Sequence, residues 1–78
     1  MTSLGMRQMQ EKQTGIITSI LINGELGRRI RDMGLVPNTE IEIVGKAPLK
    51  DPVALRLRGF TLTLRNSEAD FITVEVDS

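Results

Sequence analysis

The sequence predicts an all-β fold, a small closed or nearly closed barrel with one inserted helix. Three observations carry that expectation. Apolar residues alternate with period two along several short segments bounded by glycine, proline or asparagine, the mark of half-buried strands. The parity of that alternation switches across Arg58-Gly59, as it does across a two-residue hairpin turn. Only one segment carries a helical stripe of any length. Seventy-eight residues make one small domain with a single core.

Met1 to Gly5 reads as a loose end, with Leu4, Met6 and Met9 forming a short apolar face over one end of the core. Gly15 to Ile22 (GIITSILI) is rich in β-branched residues and predicts a strand. Ile17 and Ile20 differ in parity, so a bulge is needed for both to face inward. Asn23-Gly24 ends that strand. Leu26, Ile30 and Met33 then recur at i, i+4 and i+7 as one apolar stripe, with Glu25 in the first turn and Gly34 as a left-handed C-terminal cap. The spacing predicts a helix over Glu25–Met33. Leu35 to Asn38 is a turn, in which proline fixes φ and asparagine tolerates a left-handed backbone.

Thr39 to Gly45 alternates, with Ile41 and Ile43 inward and Glu40, Glu42 and Val44 outward. A two-proline loop, Ala47 to Pro52, follows. The hairpin register predicted across Arg58-Gly59 pairs Leu57 with Phe60, Leu55 with Leu62 and Val53 with Leu64 on one face. A type I′ turn requires φ > 0 at Arg58, which is costly, so a neighbouring turn type is an alternative. Asn66-Ser67-Glu68 predicts a helix start of about one turn, capped by Asn66 or Ser67. Phe71 to Val76 returns to alternation. The total is five strands and one helix of length.

Composition excludes several function classes. Ten basic and ten acidic residues cancel, so the chain lacks the field that draws a protein to nucleic acid or to an anionic membrane. Histidine and cysteine are absent, which removes the usual ligands of transition metals, the thiolate nucleophile and the commonest general base. Neither GxxxxGK[ST] nor GxGxxG occurs, and no DxDxDG calcium loop is present. The longest uncharged stretch, Gln13 to Gly24, has 12 residues, short of the about 20 apolar residues of a spanning helix. Met1 to Glu11 lacks the apolar region of a secretory signal, so the cytosol is expected. No catalytic residue, cofactor site or metal site is predicted.

Four methionines raise soft-metal ligation, but Met33 lies in the helix stripe, where core filling accounts for it. Glu40 and Glu42 share one strand face that an ordinary solvated surface explains. Arg28, Arg29 and Arg31 cluster on the helix. Glu25–Arg29 and Arg28–Asp32 are i, i+4 pairs that give helix support of roughly 0.2–0.5 kcal/mol each. The competing reading is that this face grips an acidic partner. Stacking aromatics are not interleaved with the basic residues, which argues against single-stranded nucleic acid.

The ordered set of motifs resembles the FeoA family. It comprises Gly15-x-Ile17-x-x-Ile20, Leu26-x-Arg28-Arg29-Ile30-x-x-Met33-Gly34-Leu35-x-Pro37, Ala47-Pro48-Leu49-x-Asp51-Pro52 and Arg58-Gly59-Phe60-x-Leu62-x-Leu64-Arg65-x-x-Glu68-Ala69. No single piece is specific, but the order is, and the match runs from about residue 14 to 76. Asn38 and Lys50 stand where the family commonly has glycine. The resemblance implies a five- to six-stranded SH3-like β-barrel with an inserted helix and a short helical turn before the last strand. It divides the chain into an N-terminal segment, 1–13, partly flexible, and a barrel domain, 14–78. It also implies a cytosolic accessory protein of bacterial ferrous iron uptake that binds the cytosolic, GTP-binding portion of the membrane transporter FeoB and meets the membrane only through it. Residues 25–33 and the 47–52 loop are the expected contact surface, with Arg28, Arg29, Arg31, Leu49, Lys50 and Asp51 as candidate partner-binding residues. The alternative is an SH3-like regulatory module related to the C-terminal domain of iron-dependent repressors, which needs a DNA-binding domain that these residues do not supply.

Overall fold

The computed structural model describes residues 2–46 and 51–77. Six antiparallel strands form one sheet in the order β1-β6-β2-β3-β4-β5. They are β1 (Thr2–Gly5), β2 (Thr14–Ile20), β3 (Glu40–Lys46), β4 (Val53–Leu57), β5 (Phe60–Leu64) and β6 (Ile72–Val76). Two short helices, α1 (Gly24–Asp32) and α2 (Asn66–Ala69), and a 3₁₀ turn at Met6–Gln8 complete the described chain. The inward residues of five strands, from β6 at one side to the edge strand β5 (Val74, Ile17, Ile41 and Ile43, Leu55 and Leu57, Leu64), belong to one buried cluster with Ile30 and Leu35. A single sheet can enclose one core in this way only by curling on itself, and α1 packs Leu26, Ile30 and Met33 against that core.

The hairpin forms in the register its parity predicts, Leu57↔Phe60, Leu55↔Leu62 and Val53↔Leu64. Arg58 takes the costly conformation after all, with φ 49° beside Gly59 at 87°, so both central residues are left-handed as in a type I′ turn. Phe60 shares the inward parity but lies at the end of the barrel and is 51% exposed. The register of β2 against β6 shifts between Ile17 and Ser19, where a bulge is expected.

The N-terminal segment differs from expectation. Thr2–Gly5 form a strand rather than a loose end, paired with β6 from Thr2↔Val76 to Gly5↔Thr73. Met6 and Met9 behind it are fully buried. Alternation over four residues is too short a signal for sequence reading, and pairing with β6 is a tertiary fact.

Helix α1 ends in a Schellman motif. Gly34 N–H donates to the Arg31 carbonyl (2.9 Å) and Leu35 N–H to the Ile30 carbonyl (3.3 Å), with Gly34 at φ 95°. Ile30 and Leu35, the apolar pair that accompanies this motif, are both fully buried. Inside α1, a Cβ on Gly27 would collide with the backbone carbonyl of Ile22. The helix therefore lies flush on the segment that enters it.

The cap of α2 also differs. Its N-cap is Arg65, not Asn66 or Ser67, and Glu68 Oε1 accepts the Arg65 N–H at 2.9 Å. Asn66 N–H is instead satisfied from the loop, by Asp51 Oδ1 at 3.0 Å. A carboxylate 15 residues away in sequence does what a local cap would do.

Candidate partner-binding surface

Helix α1 buries Gly27 and Ile30 and leaves Glu25, Arg28, Arg29, Arg31 and Asp32 exposed. Within that polar face the arginines separate. Arg28 and Arg29 line a shallow groove with Glu25, Asp32 and the half-buried Met33. Arg29 also reaches α2, its Nη2 lying 3.6 Å from Glu68 Oε2. Arg31 is drawn back onto the chain, its Nη2 donating to the Ile22 carbonyl at 3.2 Å.

The expected i, i+4 pairs do not form. Among the described residues the ion pairs within 4.0 Å are Arg7–Asp70, Arg29–Glu68 and Arg56–Glu42. Arg29 finds a better partner than Glu25, because Glu68 is only 8% exposed and its carboxylate is already held by the Arg65 amide. A less hydrated carboxylate attracts a guanidinium more strongly than one in open solvent.

A second hollow is lined by Arg29, Asp51, Pro52, Thr63, Arg65 and Glu68. It brings together one candidate from α1 and one from the loop, which the sequence could only name separately. Asp51 has a structural duty there as the acceptor for Asn66 N–H. Leu49 and Lys50, the other loop candidates, lie outside the described residues, as do Ala47 and Pro48. Thr63 and Arg65 were not among the sequence candidates. Their alternation with Leu62 and Leu64 could have placed them outward, but nothing local says that α1 faces them. Glu68 had a signal, the acidic residue three places after a helix start.

The surface presents exposed guanidiniums, carboxylates that accept backbone amides, and a half-buried thioether. Among the described residues no group of three or more His, Cys, Asp or Glu side chains is placed to hold a metal ion. Nor is any helix among them long and apolar enough to cross a membrane.

Comparison with known proteins bears on what is recognised. The family model for the FeoA domain matches residues 4–76. A fusion protein of Porphyromonas gingivalis, Fe(2+) transport protein A joined to the Fe(2+) transporter FeoB, is 35% identical over 74 residues. That match takes in 91% of this chain but only 9% of the fusion protein. An FeoA-like protein of Clostridium acetobutylicum solved by NMR is 48% identical, with TM-score 0.88 over 97% of this chain and 90% of its own. The FeoA of Stenotrophomonas maltophilia, described as a procaryotic SH3 domain protein and crystallised with zinc, shares the fold at 24% identity. Its TM-score is 0.81 over 92% of this chain and 89% of its own. The fold recurs at 22% identity in the IdeR of T. acidophilum, with TM-score 0.85 over 99% of this chain and 35% of that one. With a family model matching residues 4–76 and a six-stranded SH3-like fold shared with solved FeoA structures, the chain belongs to the FeoA family.

Proposed function

We propose that this chain is a cytoplasmic accessory protein of bacterial ferrous iron uptake that binds the cytosolic, GTP-binding portion of a FeoB transporter. The observation that carries this reading is the Porphyromonas relative, in which the counterpart of this chain is joined covalently to FeoB. Covalent joining raises the effective concentration of two parts that work together, so the counterpart of this chain is placed there to act on FeoB.

The contact surface in this proposal is the exposed face of α1 around Arg28 and Arg29, continued by the 47–52 loop and Asp51. Arg28 is the better hot spot, since Arg29 is already engaged with Glu68. A pull-down with the isolated cytosolic domain of the transporter tests this, comparing wild type with Arg28→Glu/Arg29→Glu. Binding lost by at least about tenfold supports the surface, and unchanged binding removes it. Turnover by the GTP-binding domain, with and without this protein, separates a passive adaptor from a regulator. An arginine supplied in trans can stabilise a transferring phosphoryl group, and Arg28 is the first to substitute. The repressor reading gains only a shared fold from IdeR, and the balanced charge of the chain disfavours DNA.

A further inference from the structure

Strand β5 is an edge of the sheet, hydrogen-bonded to β4 on one side only. Sheet edges are ready templates for another strand, and natural proteins blunt them with lysine, proline, glycine kinks, bulges or short length. β5 itself carries no lysine, proline, glycine or bulge. It reads Phe-Thr-Leu-Thr-Leu, five residues of high β propensity, and pairs with β4 at all five positions without a register shift. The other edge is managed. β1 has four residues and ends at Gly5, whose N–H is already taken by Gln8 Oε1 at 3.0 Å.

The hairpin settles which groups face outward. In a two-residue turn the closing pair, Leu57–Phe60, exchanges both hydrogen bonds, as do Leu55–Leu62 and Val53–Leu64. The N–H and C=O groups of Thr61 and Thr63 therefore point to the open edge. Both threonines are exposed, and no backbone hydrogen bond from elsewhere among the described residues reaches them. At one end of the edge stands the half-exposed Phe60 beside the turn.

Charge chooses the partner. From Val53 to Arg65 the chain carries Arg56, Arg58 and Arg65 and no carboxylate. Arg56 is matched by Glu42 at 3.8 Å, whereas Arg58 and Arg65, one beyond each end of β5, are exposed and have no ion-pair partner among the described residues. Asp51 and Glu68 share the hollow at the Arg65 end, but each already accepts a backbone N–H, and Glu68 also meets Arg29.

We propose that β5 is a strand-addition site. It takes an extended segment of a partner protein, β-branched at its centre and carrying carboxylates at its ends. The segment pairs its backbone with Thr61 and Thr63, lays an apolar side chain against Phe60 and sets its acids toward Arg58 and Arg65. Main-chain bonds supply affinity in this mode and the flanking charges supply selection. This site borders the α1 surface at the hollow that Thr63 and Arg65 share with Arg29 and Asp51, but its backbone pairing does not use α1 and stands whether or not that surface binds the transporter.

The test uses the full chain, isotopically labelled, titrated with a capped peptide of alternating valine and threonine with a glutamate at each end. Two control peptides carry lysines at the ends, or N-methyl groups on alternate backbone amides. The expected result is saturable binding with Kd of roughly 0.1–1 mM and slowed hydrogen exchange at Thr61 and Thr63. Affinity should be about tenfold lower for the lysine peptide and lost for the N-methylated one. Thr61→Pro removes an outward N–H without costing a β4 bond, so it should weaken binding at least about tenfold. If that variant does not fold, Arg58→Glu/Arg65→Glu, altered only at exposed residues, should reverse the preference between glutamate and lysine peptides. Shifts that map away from β5 would overturn the proposal, as would equal binding of all three peptides. So would protection of Thr61 and Thr63 that rises with protein concentration without peptide, since the occupant would then be a second copy.

Discussion

Glu68 joins the two helices of the described chain. One oxygen caps α2 by accepting the Arg65 amide, and the other meets Arg29 from α1. Replacing it by alanine orphans a backbone donor in a nearly buried setting. Glu68→Ala is therefore expected to lower stability by about 1–2 kcal/mol, read as a shift in urea midpoint. Arg29→Ala, with its side chain 69% exposed, should cost less than about 1 kcal/mol. Glu68→Gln keeps the amide acceptor and should fall between. Arg58 and Asn38 hold φ of 49° and 75° without being glycine. Asn38 suits that region and its N–H donates to the Ile17 carbonyl at 2.7 Å, while arginine has no such excuse. Arg58→Asn places the preferred Asn-Gly pair in the turn and should raise stability by about 0.5–1 kcal/mol, measured in the same denaturation series.

Among elements, α1 shows how tertiary contact reverses a propensity. An interior glycine in a helix normally costs about 1 kcal/mol relative to alanine, so Gly27→Ala looks stabilising. Here the added methyl meets the Ile22 carbonyl and the Arg31 guanidinium. The expected outcome is a loss of at least about 2 kcal/mol, with the unfolding midpoint falling rather than rising. Arg31, which anchors that junction through Ile22 O, should lose its ordered position in the same variant. The elements legible in the sequence were those whose signal is local. The β4–β5 hairpin follows from parity, the β2 bulge from Ile17 and Ile20, and the helix stop from Gly34. What stayed hidden was long-range. β1 is defined by its pairing with β6, 68 residues further along the chain where Gly5 meets Thr73, and the start of α2 is satisfied by Asp51 from another loop. The candidate surface divides the same way. Exposure of Arg28 and Arg29 followed from the stripe opposite them, but the diversion of Arg29 to Glu68, and the meeting of Arg29 with Asp51 in one hollow, required the folded chain.

The whole molecule has little stability to spare. For 78 residues, about 4–12 kcal/mol is the expected total. Met6 and Met9 are both fully buried at the seam between the first strand and the rest. Met9→Ala should cost about 2–5 kcal/mol. Removing residues 1–9, which takes both methionines and a strand, should abolish the cooperative thermal transition seen by circular dichroism. A truncated chain that still melted sharply would show that the barrel closes without its first strand.

The pairing of Thr2 with Val76 has a consequence for how this fold is joined to others. Thr2 and Val76 lie side by side on neighbouring strands, and the β4–β5 hairpin stands at the opposite end of the strand order. Such a module behaves as a cassette. Its extremities can be bridged by a short glycine–serine bridge and the chain reopened elsewhere, or it can be spliced to a larger polypeptide through either extremity. In neither case need the joint cross the edge strand β5 at that opposite end.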